Sequence, residues 1–281
     1  MLSRQLFGFA LCGAFFQLVP FAPAVGQKPE DAATQLAKKT QNPVSDLVSL
    51  PVQFNFNSGG GFEDQTSFNL NFQPVIPVKG VLKNWNIILR TIVPYVSIPT
   101  GGGTRSSGFG DILLQPFFTP AQSGSTIWGL APMFSIPTAT AGAASTGSWA
   151  IGPGAVALTI KGPWVVGGLM YNLFTFADEG DAPEVNLFSI QPLVNYNFGK
   201  GWAVSFSPVI SANWDAPSGE EWTVPFGGAI VKTTAFNSRP ISLGVHYYHN
   251  LDHPTAAAAN LFRLQISLLY PSRGPAKPEL P

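Results

Sequence analysis

From residue 51 onward the sequence alternates, and that alternation leaves few folds open. Val52, Phe54 and Phe56 are separated by Gln53 and Asn55, with Asn57 following. Phe68, Leu70 and Phe72 are separated by Asn69 and Asn71. Near the far end Phe262, Leu264, Ile266, Leu268 and Tyr270 alternate with Arg263, Gln265, Ser267 and Leu269. A period of two belongs to the β-strand, whose successive side chains point to opposite faces. Each run therefore has one large apolar face and one face that is mostly amide or hydroxyl. Phe188, Ile190, Val194, Tyr196 and Phe198 repeat the pattern against Ser189, Gln191, Asn195 and Asn197, as do Trp202, Val204, Phe206 and Ile210 against Ser205, Ser207 and Ser211. Gly59-Gly60-Gly61, Gly101-Gly102-Gly103, Gly162-Pro163 and Gly199-Lys200 punctuate the runs as turns.

The pattern predicts twelve strands, at 51–58, 66–75, 85–97, 109–119, 125–136, 148–161, 164–176, 186–198, 201–213, 220–232, 240–250 and 260–270. Most are longer than the roughly 5–6 residues of an ordinary strand and match the roughly 9–11 that a tilted membrane strand needs. A soluble sandwich would bury the apolar faces against each other. A membrane barrel turns them to lipid and lines a lumen with the polar ones. Strand length, the even strand number and the placement of tryptophan favour the barrel. The expected fold class is all-β: a transmembrane antiparallel up-and-down β-barrel of about 12 strands.

Composition agrees. Only 11% of the 281 residues are charged, against about 25% in a soluble domain. Lys plus Arg is 15 and Asp plus Glu is 15, so there is no basic excess to neutralise nucleic-acid phosphates. Twenty-nine glycines and 26 prolines exclude a helical bundle. The most apolar stretch, 148–177, is interrupted by Gly152, Pro153, Gly154, Gly162, Pro163, Gly167 and Gly168 and does not read as a helical hairpin.

The ends carry other signals. Residues 1–26 read as a secretory signal peptide, with Arg4 as its positive start, an apolar run from Leu6 to Val19 and small residues near Ala24. The single cysteine, Cys12, lies inside it, so the mature chain has no disulfide, thiolate metal site or cysteine nucleophile. Residues 27–50 are expected to be a periplasmic linker and a short helix capped by Asn42, with Pro43 in its first turn and Pro51 as its stop. The barrel is expected over 51–270, with a proline-rich tail at 271–281.

Trp85, Trp128, Trp149, Trp164, Trp202, Trp214 and Trp222 all fall near strand ends, where indole rings form the aromatic girdles of a membrane barrel. With both termini periplasmic, the longer connections face outward. They hold Glu63, Asp64, Asp178, Glu179, Asp181, Glu184, Asp215, Glu220, Glu221 and Asp252, with Arg105 the exception. The inner turns hold Lys79, Lys83, Lys161, Lys200, Lys232 and Arg239. Prolines recur within strands, at Pro74, Pro94, Pro116, Pro132, Pro153, Pro192, Pro208 and Pro225. Proline donates nothing to a ladder, so a bulge or widened ladder is expected near each.

Several of these segments together resemble a known family. They are Asn42-Pro43-Val44-Ser45-Asp46-Leu47, Asn71-Phe72-Gln73-Pro74-Val75-Ile76-Pro77, Arg90-Thr91-Ile92-Val93-Pro94, Gly108-Phe109-Gly110-Asp111-Ile112, Gly162-Pro163-Trp164 and Glu221-Trp222-Thr223-Val224-Pro225. The family is the outer-membrane proteins of the phenol-degradation meta-pathway type, often labelled only as transporters. The resemblance covers residues 42–270. It implies an outer-membrane location and uptake of small compounds, aromatic ones among them, but supplies no binding residues.

Candidate chemistry is sparse. His246, His249, His253 and Asp252 form the one histidine cluster, but His246 and His249 fall on opposite strand faces, so no metal is expected. No Gly-x-Ser-x-Gly elbow appears, and no enzyme activity or cofactor is expected. Arg90, Asp111 and Arg263, with Gln265, Asn69, Asn71 and Asn195, are the candidate lumen or constriction residues, selecting solutes by charge and hydrogen bonding. The expected function is a channel for passive passage of small solutes, with aromatic or other hydrophobic compounds as candidate cargo. The alternative is a filled structural or adhesive barrel whose acidic loops bind a partner or cations. The expected partners are outer-membrane lipid, a small-molecule solute and the barrel-assembly machinery.

Overall fold

The structure, a computed structural model, describes residues 30–178, 184–237 and 239–270. The chain divides into two units, Met1–Glu30 and Asp31–Pro281, and the barrel belongs to the second. The signal peptide and the tail lie outside the described residues. Among the described residues one α-helix, α1 (Ala32–Thr40), precedes fifteen strands. They are β1 (Val48–Gly60), β2 (Ser67–Phe72), β3 (Val75–Leu82), β4 (Trp85–Gly101), β5 (Thr104–Phe109), β6 (Ile112–Pro120), β7 (Thr126–Ile136), β8 (Ser148–Lys161), β9 (Trp164–Asp178), β10 (Asn186–Gly199), β11 (Trp202–Phe206), β12 (Ile210–Asn213), β13 (Trp222–Phe236), β14 (Arg239–Asp252) and β15 (Ala258–Tyr270).

These fifteen pieces are twelve staves, because β2 with β3, β5 with β6, and β11 with β12 each continue one line broken once. All pair antiparallel with their neighbours, and β15 pairs with β1 from Val48↔Tyr270 to Gly60↔Ala258, closing the sheet. Closure leaves no free edge, the condition for a sheet to cross a bilayer. All twelve expected strands are present. Several run further than the alternation alone indicates: the expected outer loop at 98–108 is mostly a hairpin arm of β4 and β5, and β13 continues to Phe236.

Register sorts the faces. Phe54 sits opposite Leu264 on one side and Leu70 on the other, while Asn55 sits between Arg263 and Asn69. Phe56, Leu130, Phe174, Phe198, Phe226, Ile230, Val245, Phe262, Leu264 and Ile266 are exposed on the outside. So large an apolar surface has no place in water and marks a lipid-facing belt.

Each of the eight internal prolines lies at an interruption of a ladder. At Gln73-Pro74 the pairing of β2 and β3 with β1 lapses between Phe72 and Val75. Pro94 faces the break between β5 and β6, where the register shifts by one. Pro116 and Pro132 share the unpaired stretch between Leu114↔Phe134 and Phe118↔Leu130. Pro153 faces the lapse in β8–β9 between Ile151↔Phe174 and Gly154↔Tyr171. Pro192 and Pro208 share the gap between Val194↔Phe206 and Ile190↔Ile210. Pro225 marks the shift in β13–β14. The missing N–H accounts for the pattern: six of the eight keep a ladder on one side and lose it on the other, whereas Pro74 and Pro208 sit in the breaks themselves, paired on neither side.

The expected helix is displaced. Residues 42–46 form turns, not helix, and the helix lies upstream at Ala32–Thr40, in what reads from sequence as a flexible lead. Asp31 is the N-cap, accepting from Thr34 N at 3.0 Å and Thr34 Oγ1 at 2.8 Å. Asn42 instead accepts from Val44 N at 2.9 Å, an Asx turn that bends the chain just past the helix. Asn42 and Asp31 are equally good caps by residue type. What decides is that Thr34, Ala37 and Lys38 share a buried helix face.

That face docks on the short-turn end of the barrel. Lys200 N donates to Asp31 Oδ2 at 2.7 Å, Gly201 N to Thr34 Oγ1 at 3.1 Å, and Lys38 Nζ to Gly162 O at 2.6 Å. Gly201 has φ +76°, and a Cβ there would overlap the Thr233 carbonyl and crowd Ala33, so glycine is required where the helix meets the wall. Beyond the helix, Gln41 and Asn197 exchange amide hydrogen bonds at 3.0 and 3.1 Å, and Asn197 also donates to Pro163 O at 2.9 Å.

The interior is not uniformly polar. Ile88, Phe117, Met133, Val156, Leu158, Val165, Leu169 and Leu173 form a buried apolar cluster inside one half of the barrel, with Val44 of the N-terminal segment against it. Packing fills that half as in a small barrel.

Candidate functional site

The opposite half of the interior is polar, and two guanidinium groups organise it. Arg90 on β4 donates Nη1 to Gln115 Oε1 at 2.8 Å and Nη2 to Gln73 Oε1 at 3.2 Å. Gln73 Nε2 donates to Gln53 Oε1 at 3.0 Å, Gln53 Nε2 to Gln265 Oε1 at 2.9 Å, and Gln265 Nε2 to Ser267 Oγ at 3.2 Å. The amides form one relay across the wall, every donor pointing away from Arg90. A second relay starts at Arg263 on β15, whose Nε donates to Asn55 Oδ1; Asn55 Nδ2 then donates to Asn69 Oδ1 at 3.0 Å. Register makes both possible, because Gln53↔Gln265 and Asn55↔Arg263 are direct cross-strand pairs.

The first relay and Arg263 face a cavity of about 150 Å³ lined by Arg90, Arg263, Gln73, Asn195, Ser205 and His246, and closed below by Thr40–Pro43. His246 pairs directly with Arg263 in the β14–β15 ladder and places Nδ1 3.5 Å from Tyr248 OH. Its Nε2 is buried without a partner, as are Gln115 Nε2 and Asn71 Oδ1. Among the described residues no carboxylate pairs with Arg90 or Arg263; ion pairs there include Lys39–Asp46 at 3.8 Å and Lys79–Asp46 at 3.2 Å.

Of the residues singled out from sequence, Arg90, Arg263, Gln265 and Asn195 line this cavity, and Asn69 ends the second relay. Asn71 belongs to the same inner face of β2, paired with Gln53 on β1. Asp111 does not join them. It sits at the break between β5 and β6 and accepts from Ala139 N at 3.0 Å, Thr146 N at 2.9 Å and Thr146 Oγ1 at 2.8 Å, anchoring the 137–147 loop. Gln53, Gln73, Gln115 and His246 are the site residues that sequence reasoning missed. The signal available in the sequence is a glutamine before three of the in-strand prolines, at Gln73-Pro74, Gln115-Pro116 and Gln191-Pro192: Gln73 and Gln115 both serve Arg90, and Gln191 Nε2 donates to Ser207 O at 3.2 Å, patching the ladder gap beside Pro192.

The short-turn end holds a larger recess of about 490 Å³ between the N-terminal segment and β4, β6, β7 and β8, with Asp46, Lys79 and Asn86 on its polar side. Asp46 is partly buried, which by itself would raise its pKa, but Lys79 and Lys39 outweigh this and hold it below its usual value. At the long-loop rim Glu220 accepts from Thr255 Oγ1 and N, and those bonds hold its carboxyl below the usual range. The histidines do not converge: His249 faces outward, its Nδ1 3.0 Å from Asn260 Oδ1, and His253 Nδ1 lies 2.9 Å from Pro254 O.

The seven tryptophans stand in two tiers. Trp85, Trp128, Trp164 and Trp202 open strands at the short-turn end; Trp149, Trp214 and Trp222 lie at the long-loop end. Trp85 meets Trp128 edge-on at 5.8 Å, and Trp214 meets Trp222 at 5.5 Å. Trp202 pairs with Lys232, ten residues along β13 from Trp222. At about 3.4 Å per residue and a tilt of about 40°, the tiers are about 26 Å apart along the barrel axis. That is close to the roughly 25 Å apolar band of a membrane barrel.

A closed twelve-stave barrel with an apolar exterior and a half-polar interior defines the class: a β-barrel of the outer-membrane type. The family model described as "Putative MetA-pathway of phenol degradation" matches residues 53–265, and the chain belongs to that family. Among solved structures, the COG4313 outer membrane channel from Pseudomonas putida F1 is 10% identical with a TM-score of 0.60, covering 80% of this chain and 94% of that one. The NanC porin is 10% identical with a TM-score of 0.54, covering 78% of this chain and 98% of its own. At such identity the likeness is one of fold. No curated protein sequence matches the chain.

Proposed function

We propose that this protein is an integral outer-membrane channel that lets small solutes pass passively along the polar half of its lumen. The observation that carries the reading is the asymmetric interior. One half is closed by side chains such as Phe117 and Met133, while the other keeps a cavity lined by amides and guanidinium groups. A barrel built only to be rigid gains nothing from polar groups left unpaired in its core. The outer-membrane channels that share the fold support the same reading. The lumen offers a solute binding and orientation, which is what passage needs.

In this reading the short-turn end and both termini face the periplasm, and the acidic long loops face outward. Longer loops lie on the outer side of such barrels. Outer-membrane lipid contacts the apolar belt between the tryptophan tiers, and the assembly machinery inserts the chain through its final stave, β15. The family description favours aromatic or other hydrophobic cargo. Liposome swelling tests the cargo: phenol or small sugars should enter protein-loaded liposomes faster than empty ones. Equal rates with and without protein would instead favour a filled barrel that acts through its acidic loops.

A further inference from the structure

The polar half of the lumen holds two guanidinium groups whose N–H groups outnumber the amide oxygens placed on them. Gln73, Gln53 and Gln265 each commit their amide oxygen to a donor in the relay from Arg90, and Asn55 commits its oxygen to Arg263. A guanidinium carries five N–H groups; two of those on Arg90 and one on Arg263 are placed on these amides. Gln115 Nε2, on a fully buried side chain, has no acceptor, and His246, 6% exposed, has an unpartnered Nε2. Two formal positive charges thus line a small cavity, and among the described residues no carboxylate answers them.

We propose that Arg90 and Arg263, with His246 in support, form a binding station for small carboxylates within the lumen. The proposal rests on the channel reading and narrows its cargo: the favoured solute is an organic anion rather than a neutral phenol. A carboxylate offers charged acceptors to the guanidinium N–H groups not placed on the relays, and the planar geometry that a guanidinium fork matches. In a low-dielectric wall the two charges attract anions and repel cations. Val75, Leu193 and Val231, on the same lining, give an apolar body of modest size a surface to lie on. The volume, about 150 Å³, suits a short or single-ring acid and excludes an oligosaccharide.

The test compares benzoate with phenol on the folded, detergent-solubilised chain. Calorimetry should show saturable heat for benzoate and none for phenol at equal concentration, and benzoate should reduce chloride current through single channels in planar bilayers. Arg90→Gln and Arg263→Gln should each weaken benzoate binding at least tenfold, while Arg105→Gln on the outer rim should leave it unchanged. Absence of benzoate heat in the unaltered chain, equal heat from phenol, or a cation-selective current overturns the proposal. If an arginine variant fails to fold, the benzoate–phenol comparison on the unaltered chain still decides. Benzoate heat without any bilayer current would refute the channel reading and leave the carboxylate site standing.

Discussion

The N-terminal segment is held at the barrel mouth by few contacts, so one side chain should control its release. Gln41→Ala removes both bonds of the reciprocal pair with Asn197, made at 3.0 and 3.1 Å. Asn197 Nδ2 keeps Pro163 O, but its Oδ1 loses its donor in a site only 4% exposed. At about 0.5–1.5 kcal/mol for each bond, the docked state should lose about 1–3 kcal/mol. The released fraction then rises about 5- to 150-fold. A cysteine reporter reads it directly, because the sequence has a single native cysteine, Cys12, and Ser45, 6% exposed, differs from cysteine by one atom. With Ser45→Cys in both backgrounds, the maleimide labelling rate follows the released fraction as long as redocking outpaces labelling. The Gln41→Ala chain should label at least fivefold faster. Equal rates would show that the amide pair does not hold the segment, and immediate labelling of the parent would show that the segment is not seated.

Other predictions follow from the same contacts. The Lys200 N–H, then the Thr34 hydroxyl and N–H, hold the Asp31 carboxyl below its usual 3.8. A carboxyl lowered on folding contributes above its unfolded pKa and loses that contribution as pH falls through the folded value. Hydrogen exchange, corrected for intrinsic rates, should therefore show α1 well protected at pH 6 and loosened below about pH 3.8, and Asp31→Asn should remove that dependence. A Cβ at Gly152 would overlap the Asn172 carbonyl of β9, whereas one at Gly124 meets nothing within 4 Å. Gly152→Val should abolish the heat-modifiable folded band on gels and Gly124→Val should keep it; the reverse would refute the β8–β9 packing. Leu264 is 39% exposed on the outer face, and Leu264→Arg should cost about 2–4 kcal/mol in urea titrations in lipid vesicles, as for a cation at mid-bilayer. Stability equal to that of Leu264→Ala would place that face elsewhere than in lipid.

The staves were legible because period two survives wherever inner and outer faces differ in chemistry, as at Val52–Asn57 and Phe262–Tyr270. Where both faces are apolar the pattern falls silent. In β8, Val156 points inward between Ala155 and Ala157, so periodicity cannot tell the faces apart there or show which half of the lumen side chains fill. The helix was misplaced for a related reason: local capping signals at Asp31 and Asn42 are equivalent, and only docking on Gly162, Lys200 and Gly201, more than 120 residues away, separates them. Arg90 and Arg263 stood out as rare charges within strands, and both lie in the wall of the lumen cavity. Asp111 stood out equally, but the stave breaks just before it and its carboxylate turns to the 137–147 loop. Strand periodicity tells which face a residue takes only while the strand continues.

Single-channel recording in planar bilayers tests the central claim most directly, comparing the chain as it stands with one lacking residues 1–46. The account predicts small, discrete current steps for the full barrel and larger ones once α1 and the 41–46 turn no longer close the short-turn mouth. An absence of current from both would contradict it.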